Sequence, residues 1–341
     1  MRSLETEPGG EGVLSAIGRT PLVSIKKAFR DAPFQLYAKL ESLNPGGSMK
    51  DRPALSIIRD ALERGVITRN TVVVESSSGN MGIGLAQVCA YYGLQFICVV
   101  DSKTTPANVR LLKAYGAEVD IVTEPDPTTH EYLQARLNRV QTLLHEMDDS
   151  FWPDQYSNAY NYIGHYQTMD EISHALGRLP DYLFCATSTC GSLRGCAEYV
   201  LAHKAQTKII AVDAIGSVIF GGPKLPRLIP GHGAAVRPPL FQEGLATRYV
   251  HVSDLDCVVG CWQLLRHEAL LAGGSSGAVF SAVARLQEEI EPGAICVMLL
   301  ADRGERYLDT IFSDEWVREH FGELSHLWQE TVEGTTCVTG T

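Results

Sequence analysis

Positive charge and long apolar runs are both scarce in this sequence. Its 341 residues carry a net charge of −11, which argues against binding to nucleic acid or to anionic membranes. No run of about 18 apolar residues is present, so no membrane-spanning helix is expected. The first residues, Met-Arg-Ser-Leu-Glu-Thr-Glu, lack the apolar core of a secretion signal, and we therefore expect a cytoplasmic protein.

Motifs for metals, disulfides and nucleotides are also missing. The nine cysteines include no Cys-x-x-Cys pair, and no His or Cys pair with zinc spacing lies near them, so we expect reduced thiols and no metal. No stretch matches Gly-x-Gly-x-x-Gly or the P-loop pattern, which disfavours a nicotinamide cofactor and ATP. A nicotinamide-binding protein is therefore a weak alternative.

An alternation of strand-like and helix-like segments is what the chain does contain. Predicted strands cover residues 72–75, 96–100, 118–122, 182–186, 208–213 and 294–301, and predicted helices include residues 81–92, 106–115, 129–146 and 193–203. This βαβ pattern predicts parallel sheets with right-handed crossovers. A chain of this length is expected to form two domains or one large one.

One lysine stands at an unusual place. Lys50 follows the helix-breaking segment Pro-Gly-Gly at 45–47 and precedes a predicted amphipathic helix. The apolar stripe of that helix consists of Ala54, Ile57, Ile58, Ala61 and Leu62. Because the helix dipole disfavours an ammonium at an N-terminus, this lysine needs a covalent partner or a lowered pKa. Taken alone, the local pattern also allows an ordinary surface lysine.

Three loops rich in glycine and serine each precede a helix, and the first two directly follow predicted strands. They read Ser-Ser-Ser-Gly-Asn at 76–80, Thr-Ser-Thr-Cys-Gly-Ser at 187–192 and Gly-Gly-Ser-Ser-Gly at 273–277. A strand, a loop of small residues and a helix direct backbone N–H groups and the helix dipole towards an anion. Since ligands bind at the carboxyl ends of parallel strands, the loops and Lys50 together suggest pyridoxal phosphate (PLP), bound as a Schiff base.

Segments 44–52, 76–80 and 273–277 resemble the lysine, substrate-carboxylate and ring-nitrogen motifs of the cysteine synthase family, the fold-type II PLP enzymes. The resemblance runs from residue 17 to about residue 307. It implies a homodimer with a tryptophan synthase β-like α/β fold, in which each chain has two three-layer α/β/α domains and mainly parallel sheets. The expected larger domain comprises residues 1–36 and 156–330, the smaller one residues 37–155, and residues 331–341 form a loose tail.

The same resemblance implies a role for each motif residue. Lys50 is expected to hold PLP and to take the substrate α-proton, Asn80 to bind the 3′ oxygen of the ring, and Ser275 to face the pyridine nitrogen. The residues implied to cradle the phosphate are Ser188, Thr189, Cys190, Gly191 and Ser192, and those implied to hold the substrate carboxylate are Ser77, Ser78 and Gly79. We call the first set the phosphate cradle and the second the carboxylate loop.

The chemistry expected at this site is β-replacement. A serine instead of a carboxylate at the ring nitrogen favours prompt β-elimination to an aminoacrylate, which a nucleophile then attacks. Segments 75–90, 181–191, 211–222 and 302–309 are similar to one branch, the N-(2-amino-2-carboxyethyl)-L-glutamate synthases of 2,3-diaminopropionate and siderophore biosynthesis. That likeness implies that the α-amine of L-glutamate replaces the phosphate of O-phospho-L-serine.

Departures from a cysteine synthase bear on the substrate. The loop 216–239 carries Lys224, Arg227 and His232, which sulfide would not need and which an anionic substrate or leaving group would use. Tyr156 replaces the usual phenylalanine of the linker, where it is expected to lie over the active site and help select glutamate, or else to be a packed aromatic. Further candidate anion contacts are Arg110, Arg136 and Arg194.

Two alternatives stay open from the sequence. One is a cysteine synthase proper, that is, an O-acetylserine or O-phosphoserine sulfhydrylase. The other belongs to a different class: a PLP-free pseudoenzyme that acts by binding a partner protein and lacks the visible absorbance of bound PLP.

Overall fold

The computed structural model describes residues 12–327, whose ten strands form two sheets. The strands are β1 (Leu22–Ile25), β2 (Gln35–Leu40), β3 (Val72–Ser76), β4 (Gln95–Asp101), β5 (Glu118–Val122), β6 (Ser150–Phe151), β7 (Tyr182–Ala186), β8 (Lys208–Ala214), β9 (Arg248–Val252) and β10 (Ile295–Leu300). The α-helices are α1 (Asp51–Glu63), α2 (Asn80–Tyr92), α3 (Pro106–Ala114), α4 (Tyr132–Glu146), α5 (Ala159–Ile163), α6 (Tyr166–Leu176), α7 (Gly191–Ala202), α8 (Asp254–Glu268), α9 (Gly274–Leu286) and α10 (Asp314–Phe321). The expected loose tail at 331–341 lies outside the described residues.

The larger sheet has six strands in the order β1-β2-β10-β7-β8-β9. Only the β1–β2 pair is antiparallel, and the other four pairs are parallel. Apolar side chains of α8, α9 and α10 pack against one face, while those of α6 and α7 pack against the other. The result is a three-layer α/β/α unit, as the sequence predicts.

The smaller sheet has four parallel strands in the order β5-β4-β3-β6. Helices α1, α2 and α3 supply the core on one face, and α4 supplies it on the other. Two α/β domains with mainly parallel sheets are thereby confirmed. The domain bounds stay a prediction, although β2 belongs to the larger sheet and crosses the expected boundary at residue 36.

The predicted elements agree with the observed ones to within a few residues, with one instructive difference. The helix predicted from residue 129 begins at Tyr132, because Asp126 accepts hydrogen bonds from the backbone N–H groups of Thr128 and Thr129. This turn is followed by His130 at φ +57°, a left-handed conformation that no helix accommodates. The short strands β1, β6 and β9 are not apparent in the apolar pattern.

Residues 12–327 have two further features, which concern membrane spans and cysteines. No helix in this part of the chain is both long enough and apolar enough to cross a membrane. Its eight cysteines are all buried, and none of these eight forms a disulfide.

Candidate active site

The segment that follows β10 brings two of the sequence motifs together. The backbone N–H of Met49 donates to the carbonyl of Ala301 at 2.8 Å, and that of Gly273 donates to the carbonyl of Asp302 at 3.2 Å. The lysine segment and the 273–277 loop therefore lie side by side at the carboxyl edge of the larger sheet, where ligands bind in folds of this type.

Lys50 occupies the position just before the first residue of α1. Its backbone N–H donates to Ser48 Oγ at 3.1 Å, but its side-chain amine donates no hydrogen bond to any residue of 12–327. Loss of hydration lowers the pKa of this amine, and the nearby carboxylate of Asp302 opposes that shift. An enclosed amine without a partner is available for proton transfer or for a covalent bond.

The phosphate cradle lies at the start of α7. Cys190 adopts the left-handed conformation at φ +65°, and it is followed directly by Gly191, the first helical residue. The amides of Ser192 and Leu193 have no acceptor among the described residues, as is usual for the first turn of a helix. A side chain at Gly191 would collide with Asn161 Oδ1, so glycine is needed here for α7 to begin this close to α5.

The carboxylate loop lies between β3 and α2 in the smaller domain. The hydroxyl of Ser77 accepts a hydrogen bond from Gly82 N at 2.9 Å, so it caps the first turn of α2. Asn108 Nδ2 donates to the carbonyl of Ser78 at 3.0 Å and holds the loop in place. The hydroxyl of Ser78 has no partner within residues 12–327, and Gly79 directly precedes α2. The amide of Ser77 donates to the carbonyl of Val99 at 3.1 Å, and that of Gly79 donates to Ser77 Oγ at 3.4 Å. Among the described residues, the hydroxyl and the amide of Ser78 are therefore the groups of this loop that are free for a ligand, whereas Ser77 is engaged in the helix cap.

Asn80 is tied to the larger domain by residues that sequence reasoning missed. Its Nδ2 donates to Asp302 Oδ2 at 2.8 Å, and its Oδ1 accepts a hydrogen bond from Arg306 Nη1. Tyr307 donates to the same Asp302 oxygen at 2.6 Å. Burial raises the pKa of the Asp302 carboxyl, while the bonds from Tyr307 and Asn80 oppose that shift. This network fixes the orientation of the Asn80 amide and leaves one Nδ2 hydrogen free.

Asp302→Asn tests whether this network matters for cofactor binding. Loss of the anionic acceptor is expected to weaken PLP binding about tenfold, because a hydrogen bond to a charged group is removed. The dissociation constant can be followed by cofactor fluorescence during dialysis. In an Asn80→Ala background, Asp302→Asn should raise the dissociation constant of PLP little further, since Asp302 acts through Asn80. If the free-energy losses of the two substitutions add fully, this role of Asp302 is contradicted.

Ser275 and Tyr156 lie on two other parts of the fold. Ser275 is the second residue of α9, half-buried, and its hydroxyl makes no hydrogen bond to a described residue. The linker before Tyr156 is fixed to β3, because buried Glu75 accepts hydrogen bonds from Trp152 Nε1 and from Gln155 N, both at 3.2 Å. Burial raises the pKa of the Tyr156 hydroxyl, and its own side chain has no hydrogen-bond partner in the described part of the chain.

Of the three further arginines that the sequence offers as anion contacts, two already face carboxylates of the protein. Arg194 pairs with Glu198 at 2.7 Å, and Arg136 lies 3.2 Å from an oxygen of Asp101. Arg110 is exposed on α3. Of the sequence-predicted residues, the structure brings Lys50, Asn80, Ser275 and the phosphate cradle to the same carboxyl edge, but not Arg110.

A buried lysine amine lies beside a helix start that is suited to bind an anion. This arrangement is typical of enzymes that bind a phosphorylated carbonyl cofactor through a lysine. The chain belongs to the family of pyridoxal-phosphate dependent enzymes, whose sequence model matches residues 13–302.

Solved structures of this family resemble the chain over most of its length. A hydrogen sulfide-producing enzyme from Fusobacterium nucleatum is 33% identical, with a TM-score of 0.81 over 87% of this chain and 97% of its own. The O-acetylserine dependent cystathionine β-synthase of Helicobacter pylori is 30% identical, with a TM-score of 0.81 over 91% and 99%. O-ureido-L-serine synthase is 28% identical, with a TM-score of 0.82 over 89% and 98%.

These matches confirm three predictions from the sequence. The fold is the fold-type II α/β fold related to cysteine synthases, the chain is an enzyme of that family, and its cofactor is PLP. The described residues fit this cofactor on physical grounds, since within residues 12–327 the Lys50 amine donates no hydrogen bond and the amides of Ser192 and Leu193 at the cradle have no acceptor.

Proposed function

We propose that this enzyme replaces the phosphate of O-phospho-L-serine by the α-amine of L-glutamate. The products are N-(2-amino-2-carboxyethyl)-L-glutamate and phosphate, and the first of them is a source of 2,3-diaminopropionate for siderophores or related metabolites. The observation that carries the β-replacement chemistry is the buried amine of Lys50, which donates no hydrogen bond within residues 12–327 and lies near Cys190 of the phosphate cradle and near Asp302, the partner of Asn80. A homodimer remains our expectation.

Each site residue has a proposed task in holding the cofactor and substrate. Lys50 would hold PLP, the phosphate cradle would bind its phosphate, and the free Nδ2 hydrogen of Asn80 would donate to its ring oxygen. Ser275 would face the ring nitrogen, while the hydroxyl and the backbone N–H of Ser78 in the carboxylate loop would bind the substrate carboxylate. When bound, PLP withdraws electrons from the α-carbon of an amino acid, which acidifies the α-proton and activates a group on the β-carbon.

Lys50 is also the proposed proton carrier. Because burial lowers the pKa of its amine, a larger fraction of that amine is neutral and able to accept a proton at Nζ. The buried, orphaned imidazole of His165 lies near enough for the Lys50 charge to lower its pKa further. His165 is therefore neutral and adds no competing positive charge around the amine.

The proposed donor is an O-substituted serine. The names of two relatives, an O-acetylserine dependent cystathionine β-synthase and an O-ureido-L-serine synthase, refer to such serines. Selection of phosphate as the leaving group and glutamate as the nucleophile is supported by Arg227 of the loop 216–239, a half-buried cation that would favour anionic substrates.

A sulfide-using cysteine synthase is the second candidate. It is favoured by the Fusobacterium nucleatum relative, which is described as a hydrogen sulfide-producing enzyme. Sulfide would make no use of a cation that binds a carboxylate, so the two candidates differ in the acceptor they require.

Product analysis with paired acceptors separates the two candidates. Purified holoenzyme is incubated with O-phospho-L-serine and either L-glutamate or sulfide, and the products are identified by mass spectrometry. We expect the glutamate adduct and release of phosphate. Cysteine formation with sulfide, without turnover of glutamate, would contradict the proposal, and O-acetyl-L-serine in place of O-phospho-L-serine serves as the control donor.

A further inference from the structure

The cations of the loop 216–239 differ sharply in how they are neutralised. Lys224 forms an ion pair with Glu131 of the smaller domain. Arg237 is exposed, donates to the carbonyl of Ile219 at 3.1 Å and lies over the ring of Phe241. His232 is buried, and burial lowers the pKa of its imidazole to about 3, so it carries no charge at neutral pH. Lys224 and His232 therefore offer no free positive charge, and the charge of Arg237 is exposed to solvent.

Arg227 differs from the exposed Arg237 in its burial. Its half-buried guanidinium makes one hydrogen bond to a described residue, from Nη1 to the carbonyl of His232 at 2.8 Å. Within residues 12–327 no carboxylate lies within ion-pair distance of it, and Asp213, Asp254 and Glu131 act on it only at longer range. Loss of hydration lowers its pKa below the usual value for arginine. A partly desolvated cation with four unused donors is costly unless an anion binds it.

The position of Arg227 connects it to the active site on two sides. Its guanidinium packs against Gly233, whose backbone N–H donates to the carbonyl of Thr187 at 2.7 Å, directly before the phosphate cradle. On the other side, the charges of Arg136 and Arg227 both act on the hydroxyl of Tyr156. Arg136 already faces Asp101 at 3.2 Å, so Arg227 is the cation beside Tyr156 that lacks a carboxylate among the described residues.

We infer that Arg227, which lies next to Tyr156 and the residue before the phosphate cradle, binds an anionic group of a substrate other than its α-carboxylate. This inference rests on the proposed function and names the residue that recognises the substrate's charge. The anion is either the γ-carboxylate of the nucleophile or the phosphoryl group of the donor, and both suit the planar fork of a guanidinium.

Arg227→Gln tests this assignment through the two substrates separately. We expect the KM for one of them to rise by about 10- to 100-fold, as the loss of charge-assisted hydrogen bonds does, with kcat changed by less than about threefold. A rise for L-glutamate assigns the γ-carboxylate, and a rise for O-phospho-L-serine assigns the phosphoryl group. Arg227→Lys keeps the charge and should recover part of the loss, while Arg237→Gln is the matched control on the same loop and should change neither KM.

Calorimetric titration of the holoenzyme separates a failure of this inference from a failure of the proposed function. The probes are glutarate, which carries two carboxylates without an amine, and inorganic phosphate. If the wild-type enzyme turns over neither substrate pair, the proposed function has failed, yet weaker binding of either probe by Arg227→Gln than by Arg237→Gln still supports the anion site. Unchanged KM values together with unchanged binding of both probes would overturn the inference.

Discussion

Lys50→Ala is expected to reduce turnover by about a thousandfold or more and to abolish covalent attachment of PLP. Positioned acid–base groups contribute on the order of 10²–10⁴ in rate, and this variant removes both the proton carrier and the covalent anchor. The amine of Lys50 donates no hydrogen bond to a residue of 12–327, so its removal breaks no observed contact. Loss of activity should therefore occur without loss of stability.

Two measurements check this prediction. The visible absorbance of the purified variant should differ from that of the wild-type protein at equal PLP content. With PLP removed from both proteins, the unfolding midpoint of the variant should not fall below that of the wild type. Lys103→Ala, an exposed lysine over the ring of Tyr132, is the control for a general effect of lysine removal. Turnover of Lys50→Ala within tenfold of wild type would contradict the assignment of this residue.

Arg52→Met is expected to lower the free energy of unfolding by about 3–5 kcal/mol, the cost of breaking a buried ion pair by removing one partner. Arg52 donates to Glu41 at 2.7 and 2.8 Å and to Glu171 at 2.8 and 2.9 Å, and it is 3% exposed. Burial by itself raises the pKa of Glu171, but the bonds and charge of Arg52 lower it to about 2. Lys39 also contacts Glu171 at 2.6 Å, so Glu41 is the carboxylate left without a cation.

The matched control lies on the same helix. Arg64 pairs with Asp60 at 3.2 Å, but its side chain is 62% exposed, so Arg64→Ala should cost less than about 1 kcal/mol. Urea unfolding of the two variants at pH 7 provides the comparison. Equal midpoints would show that the Arg52 cluster contributes no more than a surface pair.

Local signals in the sequence were sufficient for the elements and for the loops that bind anions. Apolar runs and the glycine-rich loops predict β3, β7 and the start of α2 and α7, because each of these features depends on neighbouring residues. The position of Lys50 at a helix start, where the helix dipole disfavours a positive charge, can likewise be predicted from the neighbouring residues. Its enclosure and lowered pKa required the structure, since they depend on the residues packed around it.

Contacts between distant residues could not be predicted from these patterns. The bond from Asn80 to Asp302 spans 222 positions, and no periodicity signals it. The role of Ser77 as a helix cap and the pairing of Lys224 with Glu131 likewise depend on geometry that the sequence does not display. For the same reason, the sequence could not rank Lys224, Arg227 and His232 as anion contacts, whereas their surroundings in the fold separate them.

Peptide mapping of the borohydride-reduced enzyme tests the central claim most directly. Reduction converts a Schiff base between PLP and a lysine into a stable secondary amine, which mass spectrometry locates in the digested protein. We predict a single phosphopyridoxyl group, on Lys50 of the peptide that contains Asn-Pro-Gly-Gly-Ser-Met-Lys. Attachment to another lysine, or the absence of any modified lysine in protein with stoichiometric PLP, would contradict the assignment of the active site.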